Sequence, residues 1–241
     1  MFRKRERFER SDVPHETPYS NVIGVVVCVV VFVALGVTVF NVWNRVNLES
    51  RLGSRDLGKT VSAQAKTTAP DGYQATDDQV ETTLFLTVDS ADSGSAGTQL
   101  TDARILALNK TQNTATLATI PVSCEVASDE TVTTLSDLCA ASGTNACVTP
   151  LASACGVKFA HVVVATEDIL ERAAALVGSS KSELFSQASS LLSLMRTDMD
   201  PDELLTFAES VSGVGLGNIQ RVEATLVADP SQAESGLQAV D

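Results

Sequence analysis

Two carboxylates within residues 82–124 have the residue types and spacing that could do chemistry. Asp89 ends one apolar run, and Asp102 begins the next. Open α/β sheets bind ligands in the crevice outside the carboxyl ends of their strands, so residues that follow a strand are site candidates. The oxygen atoms of two converging carboxylates could hold a hard cation such as Mg²⁺. In the alternative interpretation, both aspartates only cap strand ends and turns.

The segment that holds both aspartates, residues 82–124, predicts strands and turns. A Gly/Ser/Asp-rich loop separates its first strand from two strands joined around residues 110–112, a pattern typical of an antiparallel hairpin. A continuous apolar run at residues 159–165 is typical of a strand that is buried on both faces. Strands are predicted over residues 83–89, 103–109, 114–120, 159–165 and 219–226.

Helical patterns follow these strands. One helix runs from Thr166 to Gly178, and the next begins with a capping-box pattern at Ser180 and has an apolar face that reaches Met195. Further helices are predicted over residues 134–141 and 149–155, and from Asp200, Pro201 and Glu203 onward. This order of elements predicts an α/β fold, a layered α/β/α domain with a central mixed sheet.

Several short motifs in residues 82–227 resemble those of the LytR-CpsA-Psr (LCP) family, in the family's order. They are Val88-Asp89-Ser90, Leu100-Thr101-Asp102-Ala103, Ile120-Pro121-Val122-Ser123, Phe159-Ala160-His161-Val162-Val163-Val164 and the run from Met195 to Leu205. The family's members transfer glycopolymers from a polyprenyl-pyrophosphate lipid to the bacterial cell wall. The resemblance implies an LCP-like domain in which Asp89 and Asp102 are the acidic site residues. His161 aligns with a position that is often histidine in the family.

Three departures from the family pattern concern the arginines that grip the pyrophosphate. Ala91, Leu100 and Val122 stand where the family has arginine. Guanidinium groups bind phosphate through two parallel charge-assisted hydrogen bonds, which apolar side chains cannot make. The family's stretch between the middle helix and the last helices is also shortened. The resemblance therefore implies a degenerate member, a non-catalytic protein that binds a lipid-linked precursor or modulates other LCP proteins.

Arg104 keeps two further functions open. The family's arginine lies two positions before its aspartate, and Arg104 lies two positions after Asp102, which puts both positions on the same face of a strand. Arg104 could therefore act as a displaced phosphate clamp in an active Mg²⁺-dependent transferase. It could also form an ordinary ion pair with Asp102. The third hypothesis is a structural or interaction domain that keeps the fold and binds no lipid.

An apolar run at residues 22–40 predicts a single membrane anchor. It holds no charged residue, and as a helix it would span about 29 Å, the thickness of the hydrocarbon core. Five basic residues precede it and three follow it closely, which favours a cytoplasmic amino terminus and an extracytoplasmic domain. A cleaved signal peptide is the alternative, but the run is long and the site after it is poor. The predicted organisation is a basic tail (1–20), a transmembrane helix (21–43), a flexible linker (44–80), the LCP-like domain (81–227) and a disordered tail (228–241).

Charge excludes one class of partner. The residues after the apolar run carry 26 acidic and 12 basic side chains, a net charge of −14, without a basic stripe. Nucleic-acid binding needs such a stripe, so it is excluded. The same charge repels anionic wall polymers unless divalent cations bridge them.

Cysteine usage agrees with an exported domain. Cys28 lies in the apolar run, whereas the outer part holds an even number of cysteines: Cys124, Cys139, Cys147 and Cys155. Even numbers in an oxidising compartment predict disulfide bonds, and three pairings are open. The spacing does not match common zinc sites.

Overall fold

The computed structural model describes residues 52–65, 76–90, 96–128, 131–166, 194–214, 218–228 and 237–240. Its helices are α1 (Arg55–Ala63), α2 (Leu135–Ser142), α3 (Thr144–Ala154) and α4 (Pro201–Val214). Its strands are β1 (Val80–Val88), β2 (Leu100–Asn109), β3 (Thr114–Ile120), β4 (Glu125–Ser128), β5 (Thr131–Thr134), β6 (His161–Thr166), β7 (Met195–Thr197), β8 (Ile219–Glu223), β9 (Leu226–Ala228) and β10 (Gln238–Val240).

Six of the strands form one sheet, in the order β7-β6-β1-β2-β3-β8. The pairs β1–β6 and β3–β8 are parallel, and the other neighbours are antiparallel. The predicted mixed sheet is therefore confirmed. Two small ribbons, β4–β5 and β9–β10, complete the strand pairing of the described residues.

The β2–β3 hairpin was predicted from its polar turn and is confirmed. The Asn109 side-chain oxygen accepts hydrogen bonds from the backbone N–H groups of Thr111 (3.0 Å) and Gln112 (2.9 Å), which closes the turn. Asn113 has a φ of 54°, a left-handed conformation that asparagine tolerates better than most residues. Short polar side chains that bond their own backbone thus fix the register of the hairpin.

Two apolar clusters lie on opposite faces of the sheet. On one face, α4 contributes Leu204, Phe207 and Val211. On the other face, α1, α2 and α3 contribute side chains such as Leu57 and Leu138. Helices thus cover both faces, as predicted for a layered α/β/α domain. The predicted start of the last helix at Asp200, Pro201 and Glu203 is also confirmed, and it has the form of a capping box: the Asp200 carboxylate accepts from Glu203 N (2.8 Å), and Asp200 N donates to Glu203 Oε2 (2.9 Å).

The expected linker, residues 44–80, needs a correction. Residues 55–63 within it form α1, and Leu57 is fully buried. The backbone N–H of Gly53 donates to the Met199 carbonyl oxygen (2.7 Å), so this segment is tied to the residues before α4. The segment is mostly polar and has a short apolar stripe, and tertiary contact rather than sequence periodicity decides that it folds.

Several element boundaries also differ from prediction. Met195, expected on a helix, is a fully buried residue of β7 and pairs with Ala165. The predicted last strand at residues 219–226 is divided into β8 and the start of β9. The tail, predicted to be disordered, contributes β10, which pairs with β9. Short strands of three residues carry too little periodicity to be found from sequence.

The predicted membrane segment is not part of this description. Residues 1–51 lie outside the described ranges, as do most of the two helices expected over 166–195. Within those ranges, no helix has both the length and the apolar character needed to cross a membrane.

Candidate functional site

The structure places Asp89 and Asp102 at the same end of the sheet. Asp89 directly follows β1, and its Oδ1 atom accepts a hydrogen bond from Gln99 N (3.0 Å), while Asp89 N donates to the Gln99 carbonyl oxygen (3.1 Å). Asp102 lies on β2 opposite Thr87, the second residue before Asp89. The carboxyl end of β1 therefore gathers both acidic residues that the sequence singled out.

Arg104 forms an ion pair with Asp102. Its Nη2 atom lies 2.6 Å from Asp102 Oδ2, and the side chains are 39% and 24% exposed, respectively. The Nε atom of Arg104 is buried and has no hydrogen-bond partner among the described residues. Of the two interpretations of Arg104, the ion pair is the one that this conformation contains. The Arg104 side chain as a whole is partly exposed beside the carboxylate.

A β-bulge separates Leu100 from the two charged residues. Val88 pairs with Leu100 and Thr87 pairs with Asp102, so Thr101 is an extra residue on β2. Leu100 is 5% exposed and packs in the cluster with Val88. Asp102 and Arg104 point to the other face. Regular strand alternation predicts that Leu100 shares the face of Asp102 and Arg104. Because of the bulge, this prediction is wrong.

The other two positions where the family pattern has arginine give no cation to this part of the site. Val122 is partly buried and packs against the same apolar cluster as Leu100. Ala91 lies outside the described residues. The positions of Leu100 and Val122 thus serve the core, since side chains there contact apolar groups of α2, α3 and the sheet.

The carboxylates offer a limited set of ligands for Mg²⁺. In the contacts of the described residues, Asp89 and Asp102 each use one carboxylate oxygen atom. No group of three or more metal-binding side chains occurs among the described residues. Mg²⁺ is commonly bound by one or two carboxylates together with water and substrate phosphate oxygens, so the donor types fit this cation. Bound there, it would supply positive charge beside a phosphate group.

His161 lies at the opposite end of the sheet. It pairs with Thr83, five residues before the end of β1, which corresponds to about 16 Å along the strand. Its Nδ1 atom lies 3.0 Å from Asp198 Oδ2, and Asp198 Oδ1 accepts from Val162 N (2.7 Å). The hydrogen bond to Asp198 raises the pKa of His161. The alignment of His161 therefore does not make it a general base for the Asp89 end.

Arg196 is a partly buried cation that the sequence did not single out. Its Nη2 atom donates to Thr144 Oγ1 (3.0 Å) and Asn145 Oδ1 (2.8 Å) at the start of α3. Burial lowers the pKa of this guanidinium. The residue was missed because Met195–Thr197 was assigned to a helix end. The signal was the alternation around Arg196, whose two neighbours are both fully buried.

The four outer cysteines lie in one region of the fold. Cys124, Cys139 and Cys147 are fully buried, and Cys155 is partly buried against the same apolar cluster. All four are free thiols in this structure, so the predicted disulfide bonds stay a prediction. Burial raises the pKa of Cys124 to about 11 and that of Cys155 to about 12.

No protein-family model matches this sequence, and no curated protein matches it. Several solved structures are similar to parts of this chain. TagT bound to LI-WTA is 9% identical, with 74% of this chain and 92% of that chain covered and a TM-score of 0.47. TagV from B. subtilis is 12% identical, with coverages of 65% and 89% and a TM-score of 0.47. A transcriptional regulator from Enterococcus faecalis is 10% identical, with coverages of 68% and 82% and a TM-score of 0.48. These values report similarity alone.

Proposed function

We propose that the chain is a membrane-anchored, extracytoplasmic LCP-like protein of the bacterial cell envelope that has lost transferase activity and acts by binding or modulation. The pairing of Arg104 with Asp102 is the observation that carries this proposal. Transfer of a glycopolymer from a lipid pyrophosphate requires several fixed cations around the phosphates. Here the one guanidinium in the described part of the carboxylate site is partly neutralised by the residue next to it.

Core packing at two positions supports the loss of activity. Leu100 and Val122 carry no charge, and both pack with the apolar cluster. Neither position therefore supplies a cation to the site. Each missing phosphate contact removes transition-state stabilisation of about 3 kcal/mol, or about a hundredfold in rate. Two such losses reduce turnover by about four orders of magnitude.

Binding is the function that the remaining groups support. The partly exposed Arg104 side chain can contact one phosphate group, and Mg²⁺ would contact another if Asp89 and Asp102 bind it. Weak binding of a polyprenyl-pyrophosphate lipid or its glycopolymer follows from this chemistry. The apolar run at residues 22–40 and the basic residues before it support an anchor that keeps the domain beside such lipids.

One observation favours the alternative of an active Mg²⁺-dependent transferase. Both carboxylates and Arg104 occur at the same end of the sheet, and Asp89 accepts from the Gln99 backbone, so the ion pair of Arg104 involves Asp102 alone of the two carboxylates. Arg104 would then bind the phosphate, and Asp89 with Asp102 would hold the cation. The two functions differ in turnover rather than in binding.

The test measures both properties on the full-length chain in detergent. Wild type, Arg104→Ala and Asp102→Ala are incubated with lipid-linked glycopolymer, peptidoglycan and Mg²⁺, and binding of the lipid is measured in parallel. Lys59→Ala, which removes an exposed cation of α1, is the matched control. We expect no transfer by wild type or by any variant. Lipid binding should be about tenfold weaker for Arg104→Ala than for wild type and unchanged for Lys59→Ala.

Two results would contradict this proposal. Transfer by wild type that both site substitutions abolish would establish the active transferase instead. Equal lipid binding by wild type, Arg104→Ala and Lys59→Ala would remove Arg104 from any lipid site and favour a purely structural or interaction role.

A further inference from the structure

Two cysteines face each other across the junction of α2 and α3. Cys139 lies in the second half of α2, Cys147 lies in the first turn of α3, and both are fully buried. The Cys147 thiol is 3.9 Å from the Leu135 carbonyl oxygen and 3.6 Å from the Gly143 carbonyl oxygen. Leu135 lies one helical turn before Cys139, so the Cys147 sulfur atom sits against the part of α2 that carries Cys139.

The two thiols also influence each other's ionisation. The Cys147 thiol lowers the pKa of Cys139, and the Cys139 thiol together with burial raises the pKa of Cys147. Gly143, with a φ of 84°, reverses the chain between the helices, and its N–H donates to the Cys139 carbonyl oxygen (2.7 Å). The reversal therefore brings the first turn of α3, with Cys147, against the turn of α2 that carries Cys139.

We propose that Cys139 and Cys147 form an intramolecular disulfide bond when the chain folds in an oxidising compartment. The choice of pair comes from geometry. Cys155 is eight residues after Cys147 along α3, or about 12 Å, which is beyond the separation that a disulfide can bridge. Cys124 lies in the same apolar cluster, but its carbonyl oxygen accepts from the N–H of Leu135, whereas the Cys147 sulfur atom approaches the Leu135 carbonyl oxygen, which points along α2 toward Cys139.

The chemistry is a thiol–disulfide exchange with a small-molecule disulfide such as oxidised glutathione. The Cys139 thiolate attacks one sulfur atom of glutathione disulfide, forms a mixed disulfide and releases one glutathione thiolate. The Cys147 thiol loses its proton and attacks the Cys139 sulfur atom, which releases the second glutathione. Two protein thiols are oxidised, one glutathione disulfide is reduced to two thiols, and the two protein protons end on those thiols.

The bond would join two points that support the carboxylate end of the sheet. Ala140, next to Cys139, accepts a hydrogen bond from Gly97 N (2.7 Å) in the segment between β1 and β2. Thr144, at the start of α3, accepts one from Arg196. The disulfide would thus fix the α2–α3 junction between these anchors. The inference rests on the thiol geometry and does not depend on the proposed function.

Peptide mapping can identify the pair on the full-length chain. The chain is unfolded and reduced, refolded in detergent with a glutathione redox buffer, and then alkylated without reduction. Trypsin cleavage at Lys110 and Lys158 leaves all four outer cysteines on one peptide, so a second protease is needed. Chymotrypsin cleavage after Leu138 and Leu151 releases residues 139–151, which contain the proposed pair and no other cysteine.

We expect this peptide to carry no alkyl group and to be two hydrogen atoms lighter than the dithiol form. Cys139→Ser should leave Cys147 alkylated, whereas Cys124→Ser, the matched control, should leave the 139–147 bond intact. The oxidised wild type should unfold about 5–10 °C above the reduced form, and Cys139→Ser should lose most of this difference. Alkylation of both residues after oxidative refolding, or a link from either residue to Cys124 or Cys155, would overturn the proposal.

Discussion

The Asp198→Asn substitution tests the polar contacts at the far end of the sheet. Asp198 is 9% exposed on its side chain and binds both His161 Nδ1 and Val162 N. Asparagine keeps the shape but removes the negative charge. If its oxygen accepts from Val162 N, its NH2 group faces His161 Nδ1, so the charge-assisted hydrogen bond to the protonated histidine is lost. The loss of such a bond costs about 2 kcal/mol. For a chain of this size, that corresponds to a loss of about 4–8 °C in Tm.

The effect should depend on pH with a definite sign. The hydrogen bond to Asp198 raises the pKa of His161, and the charges of Glu81 and Glu203 act in the same direction. A histidine whose pKa is raised on folding stabilises the folded state below its unfolded pKa of about 6.5, and this contribution is lost as the pH rises through the folded pKa. The cost of Asp198→Asn should therefore be largest at low pH.

Thermal unfolding of full-length wild type and Asp198→Asn, followed by far-ultraviolet circular dichroism, measures this cost at about pH 5.5 and about pH 8.5. His161→Gln is the control, because the substitution at position 198 should lose its pH dependence in that background. A difference between wild type and Asp198→Asn that stays constant with pH, or grows as the pH rises, would refute the reasoning.

Two further predictions concern the core. Leu57→Ala should lower the free energy of unfolding by about 2–5 kcal/mol in urea titrations, because this side chain of α1 is fully buried. Ser62→Ala, on the exposed side of α1, is the control and should change the free energy of unfolding little. Equal values for the two variants would place α1 outside the folded domain. Leu100→Arg, which would restore the family's residue, should lower the free energy of unfolding by about 3–5 kcal/mol and give no transferase activity, because the bulge turns this position into the apolar cluster. Thr101→Arg, at the neighbouring exposed position, is the control and should be tolerated. A Leu100→Arg protein as stable as wild type would show that its side chain reaches solvent.

The pattern of the sequence predicted the central strands because their signals are local. Continuous or alternating apolar runs fix β1, β3 and β6, and the Asn109 turn fixes the hairpin between β2 and β3. A capping box that begins at Asp200 fixes the start of α4. Each of these signals lies within a few residues, where propensity and hydrogen bonding of the backbone decide the conformation.

Elements that depend on distant partners were not predicted. Helix α1 has a mostly polar sequence and forms where Leu57 meets the apolar cluster. Strands β7 and β10 are three residues long and exist because another strand lies beside them. Their periodicity is too short to distinguish them from turns, so the tertiary pairing alone defines them.

The candidate site shows the same division. The sequence by itself determined which carboxylates end and begin the neighbouring strands, and hence that Asp89 and Asp102 meet at one end of the sheet. Only the tertiary structure decided that Leu100 faces the core, since a single extra residue in β2 reverses the alternation. It also decided that Cys139 and Cys147 are neighbours, because the reversal at Gly143 brings two helices together. Local sequence determines where the central strands begin and end, whereas side-chain neighbours across elements depend on the packing of the whole chain.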